Sequence, residues 1–360
     1  MSLPTSLLRI GAVVGAAALL TGVTACSSPS PAPTTEPSTD PSTPSSFEPI
    51  EYDGPESEVP AAYGEPEPVD GFSFTIGWLS PNTSNNFVNA IALAGEARTK
   101  ELGGQFIVKN ANNSVQTQVD QCNELLAQNV DAMAVYAVDP AALGPCLADA
   151  AAAGIPIIGQ DTPPIVGDAL FDNFLSNVSQ GPDRSAHTIA TLAAEAAPAG
   201  AKFATLGLGI PIPLLKYYIE RLQYWGEQYG MEYLGNVDAA TDVSQDMATA
   251  TNDLLTRWPD VQVILTFNDP SAEAAATTAK ASGIDGLLVY GNDGERAAFD
   301  MIRSGQLAGT NRVDTDGIGV QLINGLYNVL TDQNLPLAEQ LAVVPTGVTK
   351  ANVDSVEPIQ

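Results

Sequence analysis

The amino-acid sequence predicts an α/β protein with two Rossmann-like lobes, each built on a parallel sheet, that are joined by a hinge. From Phe72 onward, short apolar runs rich in β-branched residues alternate with longer segments of helical period. A weakly periodic passage at 171–182 divides this alternation into two sets. Short connections between strand and helix are typical of parallel sheets covered by helices on both faces. Two sheets accommodate these strands better than one unusually wide sheet.

Each element of the alternation is predicted from its own pattern. Strands are expected at 72–79, 105–109, 132–138, 155–159, 202–208, 233–237, 261–267 and 287–290. Helices are expected near 86–101, 115–129, 141–153, 182–197, 213–229, 243–257, 270–282 and 295–303. Ligands of such sheets bind beyond the carboxyl ends of the strands, so the residues that follow each strand are the candidates for function.

Residues 1–25 have the pattern of a secretory signal peptide. A single charge, Arg9, precedes an apolar stretch about half as long as the ~20 residues that a membrane-spanning helix needs. The motif VTAC, which ends at Cys26, resembles a bacterial lipobox, in which cleavage leaves the cysteine N-terminal and lipidated. The sequence therefore predicts an extracytoplasmic protein anchored to the cell membrane by a lipid on Cys26. The alternative is an ordinary signal peptide with a chance cysteine near its end.

Residues 26–70 predict a disordered tether that holds a folded domain away from the membrane. The segment is rich in Pro, Ser, Thr and acidic residues and contains no Lys or Arg. Acidic residues also dominate the whole chain, whose formal net charge is -28. With no basic stripe in the sequence, this charge argues against nucleic acid or anionic lipid as a partner.

Cys122 and Cys146 are the two cysteines of the body, and export would place them where thiols oxidise. They fall on successive predicted helices that flank the strand at 132–138. A disulfide between them would join neighbouring helices of one lobe; the alternative is two separate buried thiols.

Polar side chains follow most of the predicted strands. They are Ser80 to Asn86, Tyr136 and Asp139, Gln160 and Asp161, Asn177, Asn268 and Asp269, and Asn292 and Asp293. Amides and carboxylates supply the donors and acceptors that hydroxyl groups need, and aromatic rings pack against the apolar face of a sugar. Asn and Asp are also favoured in turns and at helix N-caps, which accounts for any one of them but less well for six strand ends together. The pattern predicts a site for a small polyhydroxylated solute.

Short motifs follow one another along the body in a specific order. They are NNF at 85–87, QNVDA at 128–132, AGIPI at 153–157, PDV at 259–261, FND at 267–269, GNDG at 291–294 and GQLA at 305–308. Their order and spacing resemble the ribose-binding type of bacterial ABC-transporter solute-binding proteins, also called type I periplasmic binding proteins. The resemblance runs from about Phe72 to the C-terminus.

The resemblance implies a hinged binding protein that captures a sugar or polyol and delivers it to an ABC permease. It implies one lobe at 71–176 plus 314–342 and a second at 177–313 plus 343–360, with the lobes closing on the ligand. It also implies a monomer without cofactor or metal. The family's sugar-contacting positions correspond to Asn85, Phe87, Asp161, Asn268 and Asp293.

Several positions depart from the ribose-binding pattern. Thr162 stands where the ribose binders carry an arginine, and Tyr136 where they carry an asparagine. The arginine expected within 211–219 has no counterpart. The ligand is therefore expected to be a sugar other than ribose, a polyol or another small polar solute. Tyr136 and Arg312 are expected to help rebuild the pocket, with Lys216 or Tyr217 as further candidates.

Enzymatic function is not predicted. His187 is the only histidine, and the body contains no G-x-S-x-G motif, so a catalytic triad has few options. Two other functions stay open at this point. One is a surface receptor of the same fold that signals to a sensor kinase or chemoreceptor, and the other is a lipid-anchored hydrolase.

Overall fold

A computed structural model describes residues 47–210 and 212–359. The predicted signal peptide, the lipidation of Cys26 and the tether up to Ser46 lie outside the described residues. No helix within the described ranges is long and apolar enough to cross a membrane.

The first lobe is a six-stranded parallel sheet with helices on both faces. Its strands are β1 Thr75–Ser80, β2 Gln105–Asn110, β3 Ala132–Val135, β4 Ile157–Gln160, β5 Ser176–Ser179 and β11 Gln340–Ala342. Its helices are α1 Asn86–Glu101, α2 Val115–Ala127, α3 Pro140–Ala152 and α9 Thr315–Thr331. The strand order is β11-β5-β4-β3-β1-β2.

The second lobe repeats this plan. Its strands are β6 Lys202–Leu208, β7 Glu232–Ala239, β8 Val263–Thr266, β9 Leu288–Tyr290, β10 Gly309–Arg312 and β12 Thr346–Thr349. Its helices are α4 Pro182–Ala196, α5 Pro213–Gln228, α6 Ser244–Arg257, α7 Asp269–Ala281 and α8 Arg296–Ser304. The strand order is β12-β10-β9-β8-β6-β7, and only β12 runs antiparallel to its neighbour.

The central strands are buried on both faces, which explains why they read as continuous apolar runs. Ile76 and Trp78 of β1 pack into a core with residues of α1 and α9, whereas Leu79 packs into a core with Cys122 and Leu125 of α2. Strands that are covered on both sides by helices are typical of parallel sheets. The predicted fold class, two α/β lobes with parallel sheets, is confirmed.

The chain crosses between the lobes after β5, after β10 and after β11. The first crossing follows Ser179, three residues beyond the expected boundary, because β5 pairs with both β4 and β11 of the first sheet. The backbone N–H of Val343 donates to the Ser179 carbonyl at 3.0 Å, so two of the crossings lie side by side.

Residues 47–70, which we call the strap, were predicted to belong to the disordered tether, and this prediction is wrong for them. The strap packs against both lobes, and its Glu56 and Tyr63 side chains are buried. Composition suggested disorder because Pro and acidic residues dominate the segment, but a few aromatic side chains and one buried carboxyl are enough to fix it on a folded surface.

The N-terminal half of the strap contacts the second lobe. The Tyr52 ring lies 5.4 Å from the His187 ring and 5.9 Å from the Trp225 ring, measured between centroids. The Glu56 carboxylate accepts hydrogen bonds from the backbone N–H groups of Asp183 at 3.0 Å and Arg184 at 2.6 Å, at the start of α4. This half is therefore attached to α4 and α5.

The C-terminal half of the strap contacts the first lobe. The N–H of Ala342 in β11 donates to the Pro60 carbonyl at 3.1 Å. The Tyr63 hydroxyl hydrogen-bonds to Ser176 of β5, and the N–H of Val69 donates to the Tyr327 hydroxyl at 2.8 Å. The strap thus bridges the two lobes beside the hinge.

Cys122 and Cys146 form a disulfide in the structure, which joins α2 to α3. Both cysteines are buried in the core beneath one face of the first sheet. Of the two arrangements that the sequence left open, the structure has the bridge.

Candidate functional site

A cavity of about 100 Å³ lies between the lobes at the carboxyl ends of the strands. One water molecule needs roughly 10 to 15 Å³ of such space, so the cavity is the size of a small solute. Its first-lobe wall includes Asn85, Phe87 and Tyr136, which follow β1 and β3. Its second-lobe wall includes Asn268 and Asp293, which follow β8 and β9. The structure therefore brings five of the seven predicted ligand-binding residues together around one space.

Asn85 and Asn268 are helix caps as well as cavity residues. The Asn85 side chain accepts from the N–H of Val88 at 3.1 Å and caps α1, and the Asn268 side chain accepts from the N–H of Ser271 at 2.9 Å and caps α7. Each oxygen is occupied by its cap, which fixes the amide in place. The amide nitrogen of Asn268 then donates to Asp242 at 3.3 Å. The same two residues therefore cap helices and line the cavity.

Asp242 is a cavity residue that the sequence prediction missed. Burial raises the pKa of its carboxyl, and hydrogen bonds from the Asn268 and Asn85 side chains offset part of that rise. Asp242 follows β7, whose end carries no motif of its own.

Asp293 is the most deeply buried acid of the cavity wall. Its backbone is fixed in a positive-φ conformation by hydrogen bonds to both sides: its N–H donates to Asn311 O at 3.1 Å, and its carbonyl accepts from Val313 N at 3.2 Å. The side-chain amide of Asn292 donates to its carboxyl at 3.3 Å. Burial first, and the nearby acids Asp269, Glu295 and Asp242 second, raise its pKa well above the ordinary range.

Asp269 holds the loop that carries Asp293. Its carboxylate accepts from the N–H groups of Gly294 at 2.8 Å and Glu295 at 2.6 Å and from the Thr310 hydroxyl at 2.5 Å. These bonds fix the loop after β9 against the start of α7. Asp269 therefore positions the site without lining it.

Two hydroxyl groups that face the cavity have no hydrogen-bond partner within the described residues. They belong to Ser185 of α4 and Tyr218 of α5, and both side chains are buried. A buried hydroxyl without a partner costs free energy, which a ligand with complementary polar groups would recover. The sequence suggested Lys216 or Tyr217, but the helical register of α5 turns Tyr218 toward the cavity instead. Lys216 pairs with Glu220 at 3.8 Å on the outer side.

Arg312, expected to rebuild the pocket, does not line it. Its guanidinium donates to Val313 O at 2.6 Å, to Asp316 at 2.7 Å and to Glu357 O at 3.3 Å. These acceptors lie at the hinge crossing after β10, so Arg312 has a structural role there. The prediction that Arg312 helps to form the ligand pocket is therefore wrong.

Asp161 lies beside the cavity. It lines an adjoining space of about 70 Å³ together with Tyr136 and Thr162. Its carboxyl accepts from the backbone N–H of Gln180 at 2.8 Å and from the Gln180 side chain at 3.2 Å, and Gln180 does line the main cavity. Asp161 therefore holds Gln180 in position at the cavity wall.

The lobes are already in contact across the cleft. The side-chain amide of Asn86, in the first lobe, donates to Glu295, in the second, at 2.9 Å. No Lys or Arg belongs to the cavity wall formed by the described residues, whereas Asp242 and Asp293 do. The cavity wall is therefore acidic, and the two lobes touch across the cleft.

One part of the cavity wall is apolar. The end of β6 and the first turn of α5 contribute Leu208, Ile210, Ile212, Leu214 and Leu215, which we call the aliphatic wall. These residues occupy the connection in which the sequence lacks the expected arginine. The site is thus polar on one side and aliphatic on the other.

The buried acids predict a pH dependence of stability. Burial raises the pKa of Asp161 to about 7, only partly offset by the hydrogen bonds from Gln180. Because the folded protein holds this proton more tightly than the unfolded chain, stability is greatest below the ordinary pKa of an aspartate and falls as pH rises toward 7. Burial also raises the pKa of Asp242, Asp269, Asp293 and Glu295, which act in the same direction.

We expect the melting temperature to fall by several degrees between pH 5 and pH 8, and to fall less in Asp161→Asn, whose amide does not titrate. Asp168→Asn, at an exposed aspartate, is the matched control and should follow the wild type. Equal slopes for wild type and Asp161→Asn in thermal unfolding would show that Asp161 is ionised in the folded protein.

Comparison with known proteins places this architecture in a family. The model for the periplasmic binding protein domain matches residues 76–334. The ribose import binding protein of Bacillus subtilis (strain 168) is 28% identical over 252 residues, which cover 68% of this chain and 78% of that protein. The xylitol-binding protein of Mycolicibacterium smegmatis is 25% identical over 259 residues, which cover 69% of this chain and 70% of that protein.

A solved structure has the same fold. It is an ABC transporter periplasmic solute binding protein from Actinobacillus succinogenes with bound D-allose, with a TM-score of 0.70 and 21% sequence identity over 78% of this chain and 99% of that chain. Two lobes, a cavity between them at the strand ends and a family match over most of the body agree: the chain belongs to the periplasmic binding protein domain family.

Proposed function

We propose that this protein is an extracytoplasmic solute-binding protein that captures a sugar or polyol and delivers it to an ABC permease. The observation that carries the proposal is the cavity itself, in which amides from both lobes, and carboxyls and partnerless hydroxyls from the second lobe, surround a space of about 100 Å³. Relatives of this chain are named for ribose, for xylitol and for D-galactose with methyl-galactoside, which supports the ligand class.

The cavity chemistry suits hydroxyl groups. Each hydroxyl both donates and accepts, and the cavity offers acceptors at Asp242 and Asp293 and donors at Asn292 and Gln180. The rings of Phe87 and Phe267 flank the same space and offer apolar surface for the C–H groups of a sugar. We propose binding without chemical conversion.

Closure of the lobes would couple binding to delivery. A ligand that contacts both walls stabilises the closed arrangement by its differential affinity for the two states. The Asn86–Glu295 bond across the cleft adds to this arrangement. The closed lobes would present the permease with a surface that the open form lacks.

The location of the protein completes the proposal. Residues 1–25 would direct export, a lipid on Cys26 would hold the protein at the membrane, and the chain from Ser27 to Ser46 would link that anchor to the strap. We propose that it acts there as a monomer.

Thermal unfolding against a panel of pentoses, hexoses, polyols, nucleosides and amino acids tests the ligand class. The sample is the chain from residue 27 onward, which keeps the strap. A ligand at 100 times its Kd stabilises the folded state by about 2.7 kcal/mol, which raises the melting temperature measurably. We expect a shift with at least one sugar or polyol. The proposal would be contradicted if only nucleosides or amino acids raised the melting temperature, or if no solute of the panel raised it.

A further inference from the structure

We infer that the ligand has an apolar substituent, such as a methyl group in place of a hydroxymethyl or an alkyl group on the anomeric oxygen, and that this substituent packs on the aliphatic wall. This inference rests on the proposed function, since it narrows the sugar or polyol to a deoxy sugar or an alkyl glycoside.

The aliphatic wall offers a ligand no hydrogen bond from its side chains. Ile212 is the N-cap residue of α5 and has no capping side-chain bond, and Leu214 and Leu215 follow in the first turn. A hydroxyl group pressed against this wall would lose its bonds to water and gain none in return. Aliphatic carbon placed there would instead be removed from water, which favours binding.

Apart from the Tyr218 hydroxyl, which lies one turn after Leu214 on α5, the polar groups named here lie on the other walls of the cavity. The carboxyls of Asp242 and Asp293 and the amides of Asn268 and Asn292 come from the ends of β7, β8 and β9. They suit a hydroxylated edge of the ligand. With two acids and no Lys or Arg among the described residues of the wall, the cavity also disfavours a carboxylate or phosphate on the solute.

The aliphatic wall also borders a second space outside the cavity. Leu208, Ile210, Ile212 and Leu215 also line a neighbouring groove of about 670 Å³ on the second lobe. Beyond the wall residues, the groove is mixed: it adds Ile219 and Tyr233, and also the polar side chains of Lys216, Glu220, Gln223, Asn236 and Asp238. The wall can therefore accept a substituent larger than a methyl group.

The expected preference follows from burial. One buried CH₂ group favours binding about fourfold. Isothermal titration would compare pairs that differ only at this group: D-galactose with D-fucose, D-glucose with 6-deoxy-D-glucose, L-mannose with L-rhamnose, and each free sugar with its methyl and butyl glycosides. We expect at least one deoxy sugar or alkyl glycoside to bind about fourfold or more tightly than its hydroxylated partner.

Ile212→Asn tests the wall directly. Asparagine is a favoured N-cap residue, so this change places an amide on the wall without weakening α5. We expect it to remove the preference within the pair. Val243→Asn makes the same chemical change at the uncapped N-cap of α6, on an exposed side chain outside the cavity, and should leave the preference unchanged.

The outcomes separate the two proposals. Binding of a fully hydroxylated sugar or polyol with no deoxy sugar or alkyl glycoside binding more tightly than its partner would overturn the wall inference and leave the proposed function standing. A preference that Ile212→Asn leaves intact would also overturn it. Absence of binding to every sugar and polyol would overturn the proposed function itself.

Discussion

Replacing Asp293 with asparagine should weaken ligand binding tenfold or more while leaving the fold at least as stable. The carboxyl faces the cavity with only the Asn292 amide as its donor, so donors of the ligand are the partners it lacks. A buried donor of the ligand that loses its acceptor costs about 1 to 3 kcal/mol, and about 1.4 kcal/mol corresponds to a factor of ten in affinity. An amide presents one acceptor where the carboxylate presents two.

The stability of the fold should not fall in Asp293→Asn, because the buried carboxyl is unfavourable when no ligand is bound. Burial and neighbouring acids raise the pKa of Asp293, so its ionised form is disfavoured in the unliganded protein. Asparagine keeps the size of the side chain, carries no charge and tolerates a positive φ.

Titration calorimetry and thermal unfolding of the same samples check both halves of this prediction. Asp253→Asn, at an exposed aspartate of α6, is the control and should change neither quantity. Unchanged affinity in Asp293→Asn would remove Asp293 from the site, and a lower melting temperature would assign it a structural role.

Most strands and helices could be predicted because their patterns are local. Strand β1, for example, is buried at five of its six positions, so an unbroken apolar run marks it in the sequence. Strand β5, with the sequence SNVS, was missed although all four residues are buried. Its polar side chains bond to loops distant in sequence: Asn177 accepts from Thr162 N at 2.9 Å, and Ser176 donates to Ala338 O at 2.5 Å. Such a strand is specified by tertiary partners that no local pattern contains.

Helix α9 was missed for a related reason. It contains glycines, which lower helix propensity. A Cβ at Gly319 would lie 2.6 Å from Ile91 O of α1, and one at Gly325 would lie 2.7 Å from the Ile158 side chain. These glycines allow the helix to approach α1 and the first sheet closely. The residues that hide the helix in the sequence are the ones that its packing requires.

The residues of the candidate site also fall into two groups, those that a local sequence pattern predicts and those that only the tertiary structure places. Asn85, Asn268 and Asp293 could be predicted because they directly follow strands or belong to motifs. Ser185 and Tyr218 lie within helices, where only the register decides which side chain faces the cleft. Arg312 was misplaced because its charge suggested a ligand contact, whereas carbonyls and Asp316 at the hinge satisfy it.

Replacing Glu56 with alanine should lower the melting temperature by several degrees. The N-cap residue of α4 is Gly181, which has no side chain to cap the helix, and the buried Glu56 carboxylate supplies that cap from the strap. The Tyr52 hydroxyl also donates to this carboxylate at 2.6 Å. Alanine would leave two backbone N–H groups and one hydroxyl without an acceptor in a buried place. Loss of a cap costs about 0.5 to 2 kcal/mol, and an unsatisfied buried donor about 1 to 3 kcal/mol.

The same change should also weaken ligand binding severalfold, because the start of α4 lines the cavity. Gln180, Pro182 and Ser185 flank the capped turn and face the ligand space.

Glu58→Ala, at an exposed glutamate two residues along the strap, removes the same charge and should leave both the melting temperature and the affinity unchanged. Glu56→Gln keeps one acceptor and should fall between Glu56→Ala and the wild type. If Glu56→Ala and Glu58→Ala melt together in thermal unfolding, the strap does not cap α4. If Glu56→Ala alone is destabilised and binds more weakly, then a segment with the composition of a linker contributes to the ligand site through the helix it caps.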